Sequence, residues 1–327
     1  MKATITGATG HVGATLARAL IAHGHEVRAI VRSEGRGLAG LDIEKVGADV
    51  SDPESLRRAF LGSDVVFHAA ARISISRSDT KEVVAANLDG TRNVIAACRR
   101  ASVRRLVHFS SIEAIDPRPF HSPVDENRPF VDGRAGSPYA VSKALAEAEV
   151  RRAVSEGLDA VILNPTAIIG PHDFKPSLLG RALLAFARGS LPMLIDGGFD
   201  WVDVRDVAEA AVAAAECAPT GGRYIVGGRW ASMAELARFA CDADGARIPR
   251  LVCPFGLARA WAPLSTAFCR LTGRAPLFTS YSLKVLLGNR CVSHARAQRD
   301  LGYGPRDLEQ TVRETLIWFR EYGYLEN

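Results

Sequence analysis

Thr6-Gly7-Ala8-Thr9-Gly10-His11-Val12-Gly13 lies between a short β-branched run, Ala3–Thr6, and an amphipathic helical pattern over Val12–His23. Glycine at positions 7, 10 and 13 lets the backbone turn tightly, approach a pyrophosphate and pack a helix closely against a strand. The helix that follows then offers its first N–H groups and positive dipole end to the phosphates. Three spaced glycines alone are a weak signal. Their place between the first strand and the first helix makes them a dinucleotide site. Gly7, Thr9, Gly10, His11, Val12 and Gly13 are the expected contacts.

Outward from this turn, strand and helix alternate. Glu26–Val31, Val65–Ala69, Leu106–Ser110 and Ala160–Asn164 are further expected strands. Pro53–Leu61, Lys81–Ala101 and Tyr139–Glu156 have apolar residues at helical spacing, and Asp52 before Pro53 is a good N-cap. Such alternation implies an α/β fold, a doubly wound parallel sheet of Rossmann type. Ligands of such sheets bind beyond the carboxyl ends of the strands. We expect residues 1–170 to form this nucleotide-binding domain, with returns to the sheet at about 200–228, such as Gly222–Val226. Residues 171–327 should form a smaller, mostly helical substrate-binding part, including the apolar stretch Leu251–Gly288. The last helix, Leu308–Tyr322, carries Val312, Leu316 and Phe319 on one stripe.

Composition excludes several alternatives. With 47% hydrophobic and 24% charged residues, the 327-residue chain reads as an ordinary globular protein. Its +5 charge is scattered and lacks a basic run interleaved with aromatics, so no nucleic-acid partner is expected. Six dispersed cysteines without a C-x-x-C pair read as reduced thiols, and no metal site is expected. No apolar run is long enough for a membrane span, and nothing resembles a secretory leader, so a cytoplasmic location is expected.

The second strand should end at the adenine ribose, where an acid selects NAD and an arginine accommodates the 2′-phosphate of NADP. This strand ends in Val31-Arg32-Ser33 and has no acid at its tip. Arg32, helped by Ser33 or Arg36, therefore favours NADP(H) over NAD(H). Asp49 and Val50, after the third strand, should line the adenine pocket.

Tyr139 and Lys143 are four residues apart and thus share a helix face. A phenol titrating near ~10 is a poor acid or base at neutral pH. A neighbouring ammonium draws its pKa down, so the phenol can exchange a proton with a carbonyl oxygen or an alcohol. Ser110-Ser111 ends the strand Leu106–Ser110, so both hydroxyls should face the same crevice, and Ser111 can donate to the reacting oxygen.

These motifs, with His68-Ala69-Ala70-Ala71, Asn87-Leu-Asp-Gly-Thr91, Asp203-Val-Arg-Asp206 and Leu301-Gly-Tyr303, resemble the extended short-chain dehydrogenases/reductases from end to end. The resemblance implies Tyr139 as the acid/base, and Lys143 as the residue that lowers its pKa and holds the nicotinamide ribose. Ser111 would orient the substrate oxygen and Pro165 would lie against the nicotinamide. Ala69, Ala70, Ala71, Asn87 and Asn164 are further implied cofactor residues, with Asn87 either structural or part of a proton relay. Ser111-Ile-Glu113 and Tyr139-Ala-Val-Ser-Lys143-Ala-Leu-Ala-Glu147 are most similar to the 3β-hydroxysteroid dehydrogenase and dihydroflavonol-4-reductase branch. Nucleotide-sugar epimerases usually carry arginine where this chain has Asn164 and within Phe199-Asp200-Trp201, and the replacements suit an apolar substrate. The expectation is an NADP(H)-dependent interconversion of a ketone and a secondary alcohol on a steroid-, lipid- or flavonoid-like molecule, with a homodimer allowed. Glu113 and His172 are weaker candidates for substrate contact. The alternatives are a nucleotide-sugar epimerase with tightly bound NAD and a non-catalytic, NADP-binding regulator.

Overall fold

The computed structural model describes residues 1–33, 35–73, 80–133, 136–191, 193–244, 251–254, 256–257, 286 and 288–326. In chain order the first elements are β1 (Lys2–Thr6), α1 (His11–Ala22), β2 (Glu26–Val31), β3 (Glu44–Gly47), α2 (Pro53–Phe60) and β4 (Val65–His68). Then come α3 (Thr80–Val84), α4 (Gly90–Arg100), β5 (Arg105–Phe109), α5 (Pro138–Ser155), β6 (Ala160–Pro165) and β7 (Ala167–Ile169). The remainder comprises α6 (Leu178–Ala187), β8 (Leu194–Ile195), β9 (Gly198–Asp203), α7 (Val204–Cys217), β10 (Arg223–Val226) and β11 (Arg229–Ser232). It closes with α8 (Met233–Asp244), β12 (Val252–Cys253), α9 (Ala295–Leu301) and α10 (Leu308–Glu321).

Seven strands form one parallel sheet in the order β10-β6-β5-β4-β1-β2-β3. Strand order reverses between β1 and β4, so the loops after these two strands diverge and leave a crevice at their carboxyl ends. Alternate residues feed two cores. Val107, Val161 and Leu163 pack with α1 and α7, whereas Leu106, Ala160 and Ile162 pack with α2, α4 and α5. The expected strands lie within one residue of those observed, and β10 returns to pair with β6 as Gly222–Val226 anticipated.

A third core is built by α6, α8 and α10 over a three-stranded sheet, β11-β9-β7, with Trp201, Phe186, Leu316 and Phe319 fully buried. Polar and apolar contacts tie it to the main sheet, with Val202 of β9 buried in the core beneath that sheet. Asp203 caps α7 and accepts from Thr311 Oγ1 of α10 at 2.9 Å, and Arg306 pairs with Asp206. The stripe Val312, Leu316 and Phe319 is fully buried. Most of the stretch Leu251–Gly288 lies outside the described residues. Five cysteines, Cys98, Cys217, Cys241, Cys253 and Cys291, are free thiols. Among the described residues no helix is long and apolar enough to cross a membrane.

The single helix expected over Lys81–Ala101 is corrected. A π-type turn, Ala85–Asp89, separates α3 from α4. The wide turn carries the buried Asn87, whose side chain makes three hydrogen bonds outside the helix. Apolar periodicity cannot register such an interruption, because its compensation comes from distant partners.

Candidate active site

The turn after β1 has the predicted form. Gly7 has φ +73°, its carbonyl accepts from Gly10 N at 3.0 Å, and Gly10 O accepts from Ala14 N at 2.8 Å. A Cβ on Gly7 would stand 2.6 Å from Ala70 N, and one on Gly13 would stand 2.3 Å from Gly7 O. At Gly10 a Cβ would meet only Gly7 O, at 3.3 Å, so its outer face is open. No side chain caps α1, which leaves its first N–H groups for a ligand. This cradle fits a dinucleotide pyrophosphate. Ala69 is tied to the same turn through its N–H to Thr6 O at 3.1 Å, with Ala70 and Ala71 following at the crevice. His11 bridges to the second half of the chain, its Nε2 lying 3.2 Å from Gly170 O and 2.9 Å from Pro171 O. Thr9 and Val12 flank it, the Thr9 methyl close beneath Gly35.

At the adenine end Arg32 is 82% exposed, and its Nη1 stands 3.9 Å from Asp49 Oδ2. Two donors from Ser51 hold the Asp49 carboxyl below its ordinary range. Val50 packs beneath Gly90, and its carbonyl accepts from Asn93 Nδ2 at 2.9 Å.

The catalytic candidates converge at the ends of β5 and β6. Ser137 caps α5 by accepting from Ala140 N at 2.8 Å, and Pro138 sets the first turn, so Tyr139 enters the crevice on a rigid helix start. The Ser111 hydroxyl bears on the Tyr139 phenol and pulls its pKa down. The Ser111 backbone is extended, and its Oγ also accepts from Glu113 N at 3.2 Å, capping the 3-10 turn Ile112–Ala114. The expectation that both serine hydroxyls face the crevice is corrected. Ser110 Oγ donates at 2.6 Å to the buried carboxylate of Glu147 instead. Successive residues of an extended backbone point to opposite sides, which separates the two hydroxyls.

Lys143 is buried, and its Nζ donates to Phe109 O at 2.5 Å. Burial pushes its pKa down to about 8, and Glu147 opposes that fall. The Tyr139 phenol is shifted upward, by burial first and by the Glu113 carboxylate second, while Ser111 pulls it down. The net direction is opposite to the one anticipated from Lys143 alone, and it keeps the phenol protonated at neutral pH.

Behind these residues lies a polar frame. Asn87 Oδ1 accepts from Arg72 N at 2.8 Å, and its Nδ2 donates to Arg72 O at 3.0 Å and to Ser142 Oγ at 2.9 Å. Ser142 Oγ in turn donates to Tyr139 O at 2.7 Å. Burial and the Lys143 charge push His68 down to about 3, so its ring is neutral. Thr91 Oγ1 donates to Asn87 O at 2.6 Å, which makes His68 Nε2 the donor to Thr91 and leaves Nδ1 to accept from Thr6. Asn164 is fully buried and donates to Ser111 O at 3.1 Å and Glu147 Oε2 at 2.8 Å, and Pro165 ends β6 beside it. Glu147 continues the four-residue spacing of Tyr139 and Lys143, which was its one legible signal. His172 has φ +69° and a ring stacked on Phe174, and burial lowers its pKa to about 4.

A glycine cradle at the strand reversal and a Ser-Tyr-Lys centre at the neighbouring strand ends define an NAD(P)-dependent oxidoreductase of the extended short-chain dehydrogenase/reductase class. The family described as "NAD dependent epimerase/dehydratase family" matches residues 3–227, and the chain belongs to it. The chain is 36% identical to "Sterol demethylase protein B" of Methylococcus capsulatus, over 99% of this chain and 100% of that protein. It is 31% identical to a "Putative dihydroflavonol 4-reductase" of Synechocystis, over 98% of this chain and 95% of that one. Among solved structures, a nucleoside-diphosphate-sugar epimerase from Pseudomonas aeruginosa superposes with a TM-score of 0.83 at 28% identity, covering 100% and 99% of the two chains.

Proposed function

We propose that the protein is a cytoplasmic, NADP(H)-dependent reductase/dehydrogenase that interconverts a ketone and a secondary alcohol on a largely apolar small molecule. The observation that carries this reading is the convergence of Ser111, at the end of β5, with Tyr139 and the buried Lys143 one helical turn further along α5. Ser111 would orient the reacting oxygen, and the protonated phenol of Tyr139 would give it a proton in reduction or take one in oxidation. Lys143 would hold the nicotinamide ribose and steady the charge left on Tyr139. The bound nicotinamide supplies or receives the hydride at the carbon. Gly7, Gly10 and Gly13 would admit the pyrophosphate, with Arg32 meeting the 2′-phosphate.

The apolar substrate is supported by two positions where epimerases of this family carry arginine. Asn164 is fully buried and committed to Ser111 and Glu147, and Phe199 packs edge-on to Trp201 at 5.2 Å. Neither brings positive charge to a sugar-nucleotide diphosphate. The sterol- and flavonol-named relatives point the same way. A screen of NADPH oxidation against sterol, flavonoid and 3-oxoacyl ketones, with nucleotide sugars in parallel, tests the reading. Turnover of a ketone supports it. Turnover of a nucleotide sugar with retained, oxidised cofactor, and of no ketone, replaces it with the epimerase reading.

A further inference from the structure

We propose that the buried pair Glu147–Arg223 is a positioning device for the active site: Glu147 holds the Ser110–Ser111 strand end and serves as the buried counter-charge of Lys143, while Arg223 holds that carboxylate in place and offsets part of its charge. This rests on the reading of Ser111, Tyr139 and Lys143 as the catalytic centre.

The Glu147 side chain is wholly inaccessible to solvent, and that of Arg223 is 8% exposed. Their contact, Arg223 Nε to Glu147 Oε1, is 2.6 Å. The other oxygen, Oε2, accepts from Ser110 Oγ at 2.6 Å and from Asn164 Nδ2 at 2.8 Å. Asn164 Nδ2 also donates to Ser111 O at 3.1 Å, so one amide group links the carboxylate to the backbone of the serine that meets Tyr139. A shift of Glu147 therefore reaches Ser111 through a single side chain.

Arg223 is itself fixed from several sides. Its Nη1 donates to Glu126 O at 2.9 Å, and its guanidinium lies over the Phe130 ring at 5.1 Å. Glu126 Oε1 accepts from Ile225 N at 2.9 Å on the same strand. A carboxylate taken out of water needs such a partner, because leaving either charge unpaired in the interior is strongly destabilising. A pair of this kind adds little net stability over apolar residues. Its geometry is better explained by what it orients.

Glu147 lies one helical turn beyond Lys143 on the same face of α5. The charged and titratable groups that bear on Lys143 can be named from each packed element. His68 from β4 and His108 from β5 are both neutral through burial. From α5 come Tyr139, held as the phenol, and Glu147, the carboxylate that raises Lys143 against its desolvation. Glu113 from the 3-10 turn acts on Tyr139, and Arg223 from β10 acts on Glu147. Removing the Glu147 charge should thus lower the Lys143 pKa, and removing the Arg223 charge should raise it.

The whole chain contains six lysines, so its 13Cε-lysine spectrum is simple, and the signal lost in Lys143→Met assigns Lys143. An NMR pH titration then reads Lys143 directly, without substrate or cofactor. Glu147→Gln should move its midpoint down by about one unit, a roughly tenfold loss of proton affinity, and Arg223→Met should move it up. A purely structural pair would lower stability in both variants without moving the midpoint in opposite senses. If Glu147→Gln does not fold, the upward shift in Arg223→Met decides alone. An unmoved Lys143 midpoint overturns the proposal even if the enzyme reduces a ketone. Opposite shifts in a protein that reduces no ketone uphold the pair and fault only the proposed function.

Discussion

Asn87 Nδ2 lies 2.9 Å from Ser142 Oγ, and this one bond fastens the π-type turn to the helix that carries Tyr139 and Lys143. The same side chain clamps both backbone groups of Arg72 beyond β4. The loop beside the cofactor crevice and the catalytic helix therefore share a single buried amide. Asn87→Ala should destabilise the fold by about 2–3 kcal/mol, since it leaves buried partners unsatisfied. Denaturant unfolding of the variant measures this, and stability equal to wild type would exclude the clamp.

Tyr139→Phe should lower turnover by roughly 10²–10⁴-fold and leave cofactor affinity within a few fold. The phenol acts only on the reacting oxygen, so its loss removes transition-state stabilisation and spares ground-state binding. Lys143→Met should damage both quantities, because the ammonium serves ribose and phenol together. Steady-state kinetics on a ketone found by the screen, with cofactor titration, separates the two. Full activity of Tyr139→Phe would remove Tyr139 from the catalytic role.

Lys143 titrates near 8 in the folded chain, below its ordinary range. Its ammonium is present at pH 7 and lost as pH rises through about 8, so NADPH affinity should decline across that interval. Stability runs the other way. Between about 8 and the ordinary lysine range the unfolded chain binds more protons at this group, so its destabilising contribution, full at pH 7, fades with rising pH. The stability difference between Lys143→Met and wild type should accordingly drift in favour of wild type from pH 7 to pH 10. A difference independent of pH would show that Lys143 titrates normally.

Arg32 is 82% exposed at the end of β2, beside Asp49 and with no acid at the tip of its own strand. A guanidinium binds a 2′-phosphate with charge-assisted, bidentate hydrogen bonds. Arg32→Ala should weaken NADPH binding roughly ten- to a hundred-fold and leave NADH binding nearly unchanged. Isothermal titration of both cofactors decides it. Tighter binding of NADH than NADPH by wild type would make Arg32 a solvated side chain and leave the Tyr139/Lys143 chemistry intact.

The parallel sheet, the glycine cradle and the Tyr139/Lys143 stripe were legible in the sequence because each is local. Gly7, Gly10 and Gly13 act within one turn, strand and helix periodicities span a few residues, and Tyr139 and Lys143 lie on successive helical turns. What the sequence left open is carried by contacts between distant positions. Asn87 finds Ser142 55 residues away, and Ser110 finds Glu147 37 residues away. Glu147 meets Arg223 only because β10 returns to the sheet beside β6. The same closure decided that Ser110 would turn from the crevice, and that burial would shift Tyr139 up and Lys143 down. Desolvation and buried hydrogen bonds depend on the assembled interior, and residue order alone does not encode which buried groups will face each other there.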